Sequence, residues 1–206
     1  MKLLPVAAAL AMCTAAPAFA GMSFLVDFEQ SWAYGSAVDN TYSGAGVTFT
    51  NVLGQSNNDG LGPLAKGDYY ANAPSPIGVA FAQLDGVTNT AAYMNVASGA
   101  DNGLSFYYSS GSSIAGAVKA YSGLNGTGTL LGSFNLAATD DAFSIWTPVT
   151  FTFSGTAQSF DLSASANVVA FDNISAVPEP ETFAMLLSGL GLMAFIARRR
   201  NQKQAD

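Results

Sequence analysis

Two short stretches limit what this chain can become. In 103–109, Leu104, Phe106 and Tyr108 alternate with Ser105, Tyr107 and Ser109; in 148–154, Val149, Phe151 and Phe153 alternate with Thr150, Thr152 and Ser154. Successive side chains of a strand point to opposite faces, so a period of two buries one face and wets the other, as in antiparallel sheets. Further runs rich in Val, Phe, Tyr and Thr, bounded by Gly, Asn, Ser and Asp, predict strands at 23–30, 46–53, 77–84, 91–96, 115–121, 129–136, 159–163 and 168–174. No segment ahead of the C-terminal tail has helical periodicity. The stretch 54–72 has little strand character and is long for a loop, which marks it as functional or mobile. The predicted body is mainly β: one jelly-roll-like antiparallel β-sandwich over residues 21–176, long enough to bury a real core.

Charge narrows the partners of that body. Lys66 and Lys119 face Asp27, Glu29, Asp39, Asp59, Asp68, Asp85, Asp101, Asp140, Asp141, Asp161 and Asp172, an excess of nine negative charges (11 − 2). Such a surface repels nucleic acid and anionic lipid. The chain has no histidine and one cysteine, Cys13, so Ser/His/Asp and Cys/His nucleophile systems and histidine metal sites are excluded by composition.

The two ends read as addresses. Lys2, an apolar run over 3–12 and the small-x-small Ala18-Phe19-Ala20 before Gly21 describe a secretory signal-peptide helix over 1–20, cut after Ala20. The alternative, a lipoprotein signal with a lipidated Cys13, is opposed by the bulky Met12 and by the short apolar region it leaves. Cleavage after Ala20 removes Cys13 and with it any disulfide in an oxidising compartment. At the other end, Val177-Pro178-Glu179-Pro180 is held extended by its prolines. An uncharged run over 183–197 follows, then Arg198-Arg199-Arg200 and a polar tail, 201–206. Fifteen helical residues span roughly 22 Å against ~30 Å of hydrocarbon. Thr182 and snorkelling arginines make up part of the gap, which predicts a single transmembrane helix over 182–197 with the arginines cytoplasmic. A buried core helix is the alternative, but this segment has no polar face, and Gly189 and Gly191 are costly in a soluble helix.

In order and position these parts resemble the PEP-CTERM protein-sorting signal of Gram-negative bacteria, over 177–200. The resemblance implies recognition of Val177, Pro178, Glu179, Pro180, Arg198, Arg199 and Arg200 by an inner-membrane exosortase that cuts near the Pro-Glu-Pro box, a removable tether like a GPI signal. The protein would be anchored in the inner membrane first and then reach the cell surface or extracellular matrix, among exopolysaccharide. The body in turn resembles the galactose-binding-like β-sandwich. The likeness rests on Val26-Asp27-Phe28-Glu29, on Ser105-Phe106-Tyr107-Tyr108 with the later Val118–Gly128 segment, and on Val169-Ala170-Phe171-Asp172-Asn173-Ile174.

Asp27 and Glu29 are two apart on a predicted strand, hence on one face, and pairing of first and last strands brings Asp172 near. Three carboxylates suit Ca²⁺, and the resemblance implies a structural calcium held by Glu29 and Asp172, with Asp27 beside them. A solvated strand edge is the equal alternative. Trp32, Tyr34, Tyr42 and Trp146 either cap the core or stack on sugar rings, and Tyr69-Tyr70 are expected to be exposed. A glycosidase needs two carboxylates across a cleft, which eleven acids satisfy by chance. The expectation is a non-enzymatic exported surface or matrix protein associated with exopolysaccharide. The alternatives are a carbohydrate-binding module with a specific glycan and, behind it, a glycoside-active enzyme.

Overall fold

A computed structural model describes residues 23–57, 68–83, 91–177 and 188–193. Its strands are β1 (Leu25–Val26), β2 (Val47–Thr50), β3 (Val52–Gln55), β4 (Val79–Ala82), β5 (Tyr93–Ser110), β6 (Ile114–Tyr121), β7 (Leu130–Leu136), β8 (Thr147–Asp161) and β9 (Val169–Ala176). Every pairing among them is antiparallel, in the order β3-β4-β9-β5-β8-β6-β7, with β1 on β9 and β2 on β5. The predicted mainly antiparallel body is therefore present.

The differences lie where the chain bends. Residues 91–96 and 103–109 belong to one strand, β5, and 148–153 and 159–163 to another, β8. Gly99 (φ 81°), Asn102 (φ 65°) and Gly155 (φ 93°) occupy the left-handed region at these joins, and the β5–β8 register shifts there. A bulge bends a strand without ending it. So the polar and glycine-rich residues that looked like turns fold the sheet over. The first half of β5 pairs with β2 and the last half with β9. Conversely, Asn51 at φ 52° splits 46–53 into β2 and β3, and its Nδ2 donates to the Ala91 carbonyl at 2.7 Å.

Both halves of the folded-over sheet bury into one core. Val47, Phe49, Met94 and Val96 join Phe106, Phe151, Phe160 and Phe171 in a single apolar cluster. Each such side chain contributes about 1.5–3 kcal/mol on burial. Trp32 closes one end of this core: a Cβ on Gly54 would stand 2.0 Å from its ring, and its indole N–H donates to the Phe28 carbonyl at 2.9 Å.

At the C-terminal end, residues 188–193 are helical and exposed. Among the described residues no helix is long and apolar enough to cross a membrane. The remainder of the predicted 182–197 helix, the signal peptide 1–20 with Ala18, Ala20 and Gly21, and Pro178, Glu179, Pro180, Arg198, Arg199 and Arg200 lie outside the described residues.

Candidate functional site

The expected carboxylate cluster does not form as a cluster. β1 pairs with β9, Leu25 opposite Ser175 and Val26 opposite Ile174, so the first and last strands meet as predicted. β1 stops at Val26, however, and Phe28 takes φ 55°. That turn separates two side chains which an unbroken strand would have kept on one face. Asp27 Oδ1 accepts from the Tyr42 hydroxyl and the Glu29 N–H, both at 3.3 Å. Glu29 Oε1 instead accepts from Ile77 N–H at 2.8 Å and Gly78 N–H at 3.4 Å.

Asp172 is fully buried on β9. Its Oδ2 accepts from Ser75 N–H at 2.8 Å, and its Oδ1 from the Ser75 hydroxyl at 2.8 Å and Asn173 N–H at 2.7 Å. Glu29 and Asp172 thus clamp one loop, 75–78, through its backbone donors. These donors take up part of the acceptor capacity of the two carboxylates. Among the described residues no group of three His, Cys, Asp or Glu is placed to hold a metal. The three acids are thus not brought together as one cluster, and backbone N–H groups brace the loop.

Burial pushes the Asp172 carboxyl up to about 6, with the nearby Glu29 charge adding to the rise against the Ser75 and Asn173 donors. The Ser75 hydroxyl lies within reach of two acceptors, Asp172 Oδ1 at 2.8 Å and Asn173 Oδ1 at 3.0 Å. Beside this clamp Tyr70 is buried, its hydroxyl without a hydrogen-bond partner among the described residues. Burial first, then the charges of Asp172 and Glu29, raise its pKa to about 12. Tyr42 is likewise raised, by burial first and Asp27 second.

The aromatic residues divide. Trp32 and Tyr70 are core, Tyr42 is packed on Phe28 and Phe49, and Trp146 meets Tyr70 edge-on while donating to the Ala71 carbonyl at 2.9 Å. The expected exposure of Tyr69-Tyr70 holds in part for Tyr69, which is half-buried, and fails for Tyr70. Asn57 holds this dipeptide: its side-chain Oδ1 accepts from Tyr69 N–H at 2.7 Å and its Nδ2 donates to the Tyr70 carbonyl at 2.7 Å, with the Tyr69 ring left at the surface and the Tyr70 ring turned inward.

Tyr69 and the exposed Tyr34 stand 5.9 Å apart, tilted by 36°. They form one wall of a groove of ≈ 290 Å³ over the outer face of the β3–β4 hairpin. Leu53 lies directly opposite Phe81 in that hairpin, and Gln55 and Gln83 each follow two residues later on the same face. Phe143 closes the other side, edge-on to Phe81 at 5.3 Å and 85°. Asn167, just ahead of β9, completes the rim. Phe143 has φ 52°, a strained conformation for a bulky residue. The loop holds it there because Asp140 accepts from Ala142 N–H at 3.1 Å, Ser144 N–H at 3.2 Å and the Ser144 hydroxyl. These bonds, the Ser144 hydroxyl foremost, hold the Asp140 carboxyl below its usual range. Sequence reasoning missed Leu53, Gln55, Phe81, Gln83, Phe143 and Asn167. The i, i+2 pairs Leu53/Gln55 and Phe81/Gln83 were the available signal, hidden because 54–72 reads as loop.

A second, shallower cleft of ≈ 280 Å³ lies between Ser105–Tyr107, Pro148–Thr150, Asn173 and Ser175.

With this geometry in hand, the class is an antiparallel β body ending in a sorting tail. Residues 176–200 match the PEP-CTERM protein-sorting motif, a signal for export. Its first two residues belong to the fold: Ala176 ends β9, and Val177 N–H donates to the Gly103 carbonyl at 3.2 Å. No curated protein matches the chain. Among solved structures it is similar to the K2 cleaved adhesin domain of Lys-gingipain (17% identity, 75% of this chain and 99% of that one, TM-score 0.46). A second likeness is to the K1 cleaved adhesin domain of Lys-gingipain from Porphyromonas gingivalis W83 (15%, 77% and 99%, 0.44). A third is to the CBM22-1–GH10 modules of Clostridium thermocellum xylanase 10B complexed with xylohexaose (9%, 80% and 29%, 0.42).

Proposed function

We propose that this is a non-enzymatic, exported glycan-binding protein of the cell surface or extracellular matrix of a Gram-negative bacterium, whose groove over the β3–β4 hairpin holds exopolysaccharide. The observation that carries the reading is the groove's composition. Tyr34 and Tyr69 offer flat apolar faces beside the amides of Gln55, Gln83 and Asn167, the combination that suits a sugar ring with an apolar face and a polar edge. Among the described residues its lining is aromatic, aliphatic and amide.

Export follows from the two ends. Residues 1–20 direct secretion and leave after Ala20; the helix over 182–197 tethers the body in the inner membrane. An exosortase-type protease then reads Val177–Pro180 and Arg198–Arg200 and releases it. The binding test is affinity electrophoresis of the protein through gels containing a panel of polysaccharides. Retardation by at least one glycan, reduced at least tenfold in Tyr34→Ala, supports the reading; migration unaffected by every glycan in the panel removes it.

A further inference from the structure

Resting on that glycan-binding reading, we infer that the groove accepts neutral sugar residues and rejects uronate-bearing glycans. A carboxylate in a protein site is met by cations or by several converging N–H donors. Among the described residues the groove's lining is aromatic, aliphatic and amide, without a formal charge. Gln55, Gln83 and Asn167 bring amides to this lining. An amide offers its carbonyl as readily as its N–H groups. That pairing matches hydroxyls, which both give and take, whereas a carboxylate uses only the N–H half.

The field of the body acts in the same sense. It carries nine more acids than lysines (11 − 2), and Asp68 adjoins Tyr69 at the rim. The described lysine, Lys119, lies on β6, beyond β9, β5 and β8 from the hairpin. Negative potential of this kind lowers the local concentration of anionic ligands, most strongly at low salt.

The test compares the full chain, in a zwitterionic sugar-free detergent, against pairs of glycans that differ in charge: galactan with polygalacturonate, and polygalacturonate with its methyl ester. A wider panel of neutral polysaccharides is run beside them. The expected result is that neutral glycans, the methyl ester included, bind at least tenfold more tightly than polygalacturonate. That margin shrinks as salt rises, and Tyr34→Ala and Tyr69→Ala each cut neutral binding at least tenfold. Polygalacturonate binding as tightly as its ester, with the same dependence on Tyr34, overturns the neutral preference and leaves the glycan-binding reading standing. Neutral binding untouched by either tyrosine variant overturns the placement of the site. Absence of binding to every neutral and acidic member overturns both readings.

Discussion

Asp172 shows how a side chain can be placed by sequence while its hydrogen-bond partners are not. Its approach to the first strand was foreseeable from strand pairing, but its partners, the N–H and hydroxyl of Ser75 and the N–H of Asn173, leave no pattern in the residue types. Because the folded state holds its pKa near 6 and the ordinary value is 3.8, the fold binds this proton more tightly than the unfolded chain does. Its contribution to stability is then complete below the unfolded value and lost as pH rises through about 6. The melting midpoint should be higher at pH 5 than at pH 7.5, and Asp172→Asn should flatten that difference; an unchanged slope in the variant contradicts the assignment. The same clamp predicts that EDTA leaves the midpoint where it is, since N–H donors rather than an ion hold the loop. A chelator-dependent fall in the midpoint would instead support a structural calcium. Gly54 gives a steric test: a Cβ there meets the Trp32 ring at 2.0 Å, so Gly54→Ala should destabilise by about 1–3 kcal/mol, measured by urea unfolding.

At the scale of elements, alternation told which segments are strands and failed at their joins. A bulge and a turn draw on the same residues, Gly and Asn at positive φ, so Gly99, Asn102 and Gly155 carried no mark to separate bending from ending. Two breaks predicted in sequence are bends within β5 and β8, and these bends let one hydrogen-bonded sheet bury both halves in one core. The groove was less legible still. Its floor is a hairpin whose second strand lies far along the chain, and Phe143 arrives from a loop shaped by Asp140. Asp140→Ala should therefore weaken neutral-glycan binding severalfold while the melting midpoint moves little, because the residue organises an exposed turn rather than the core. Equal affinity in the variant would detach Phe143 from the site.

For the whole molecule, the arrangement of the ends follows from β9. Leu25 pairs with Ser175, so the chain enters the body beside the point where Val177 leaves it. Phe81, in the groove, lies opposite Ala170 near the other end of β9. Seven residues of strand at ~3.3 Å each separate the groove level from the sorting motif by about 23 Å. A body tethered through its C-terminus thus carries the groove on its far side, and removal of the tether leaves the site intact. Truncation after Val177 should preserve both the melting midpoint and glycan affinity. Truncation before Val169 should prevent folding, because β9 pairs with β1, β4 and β5.

The most direct measurement is NMR chemical-shift mapping of the truncated body with a neutral oligosaccharide that it binds. Shifts centred on Gln55, Tyr69, Gln83 and Asn167 are predicted. Shifts centred instead on the cleft of Ser105, Thr150 and Ser175, with the hairpin face silent, would contradict the account.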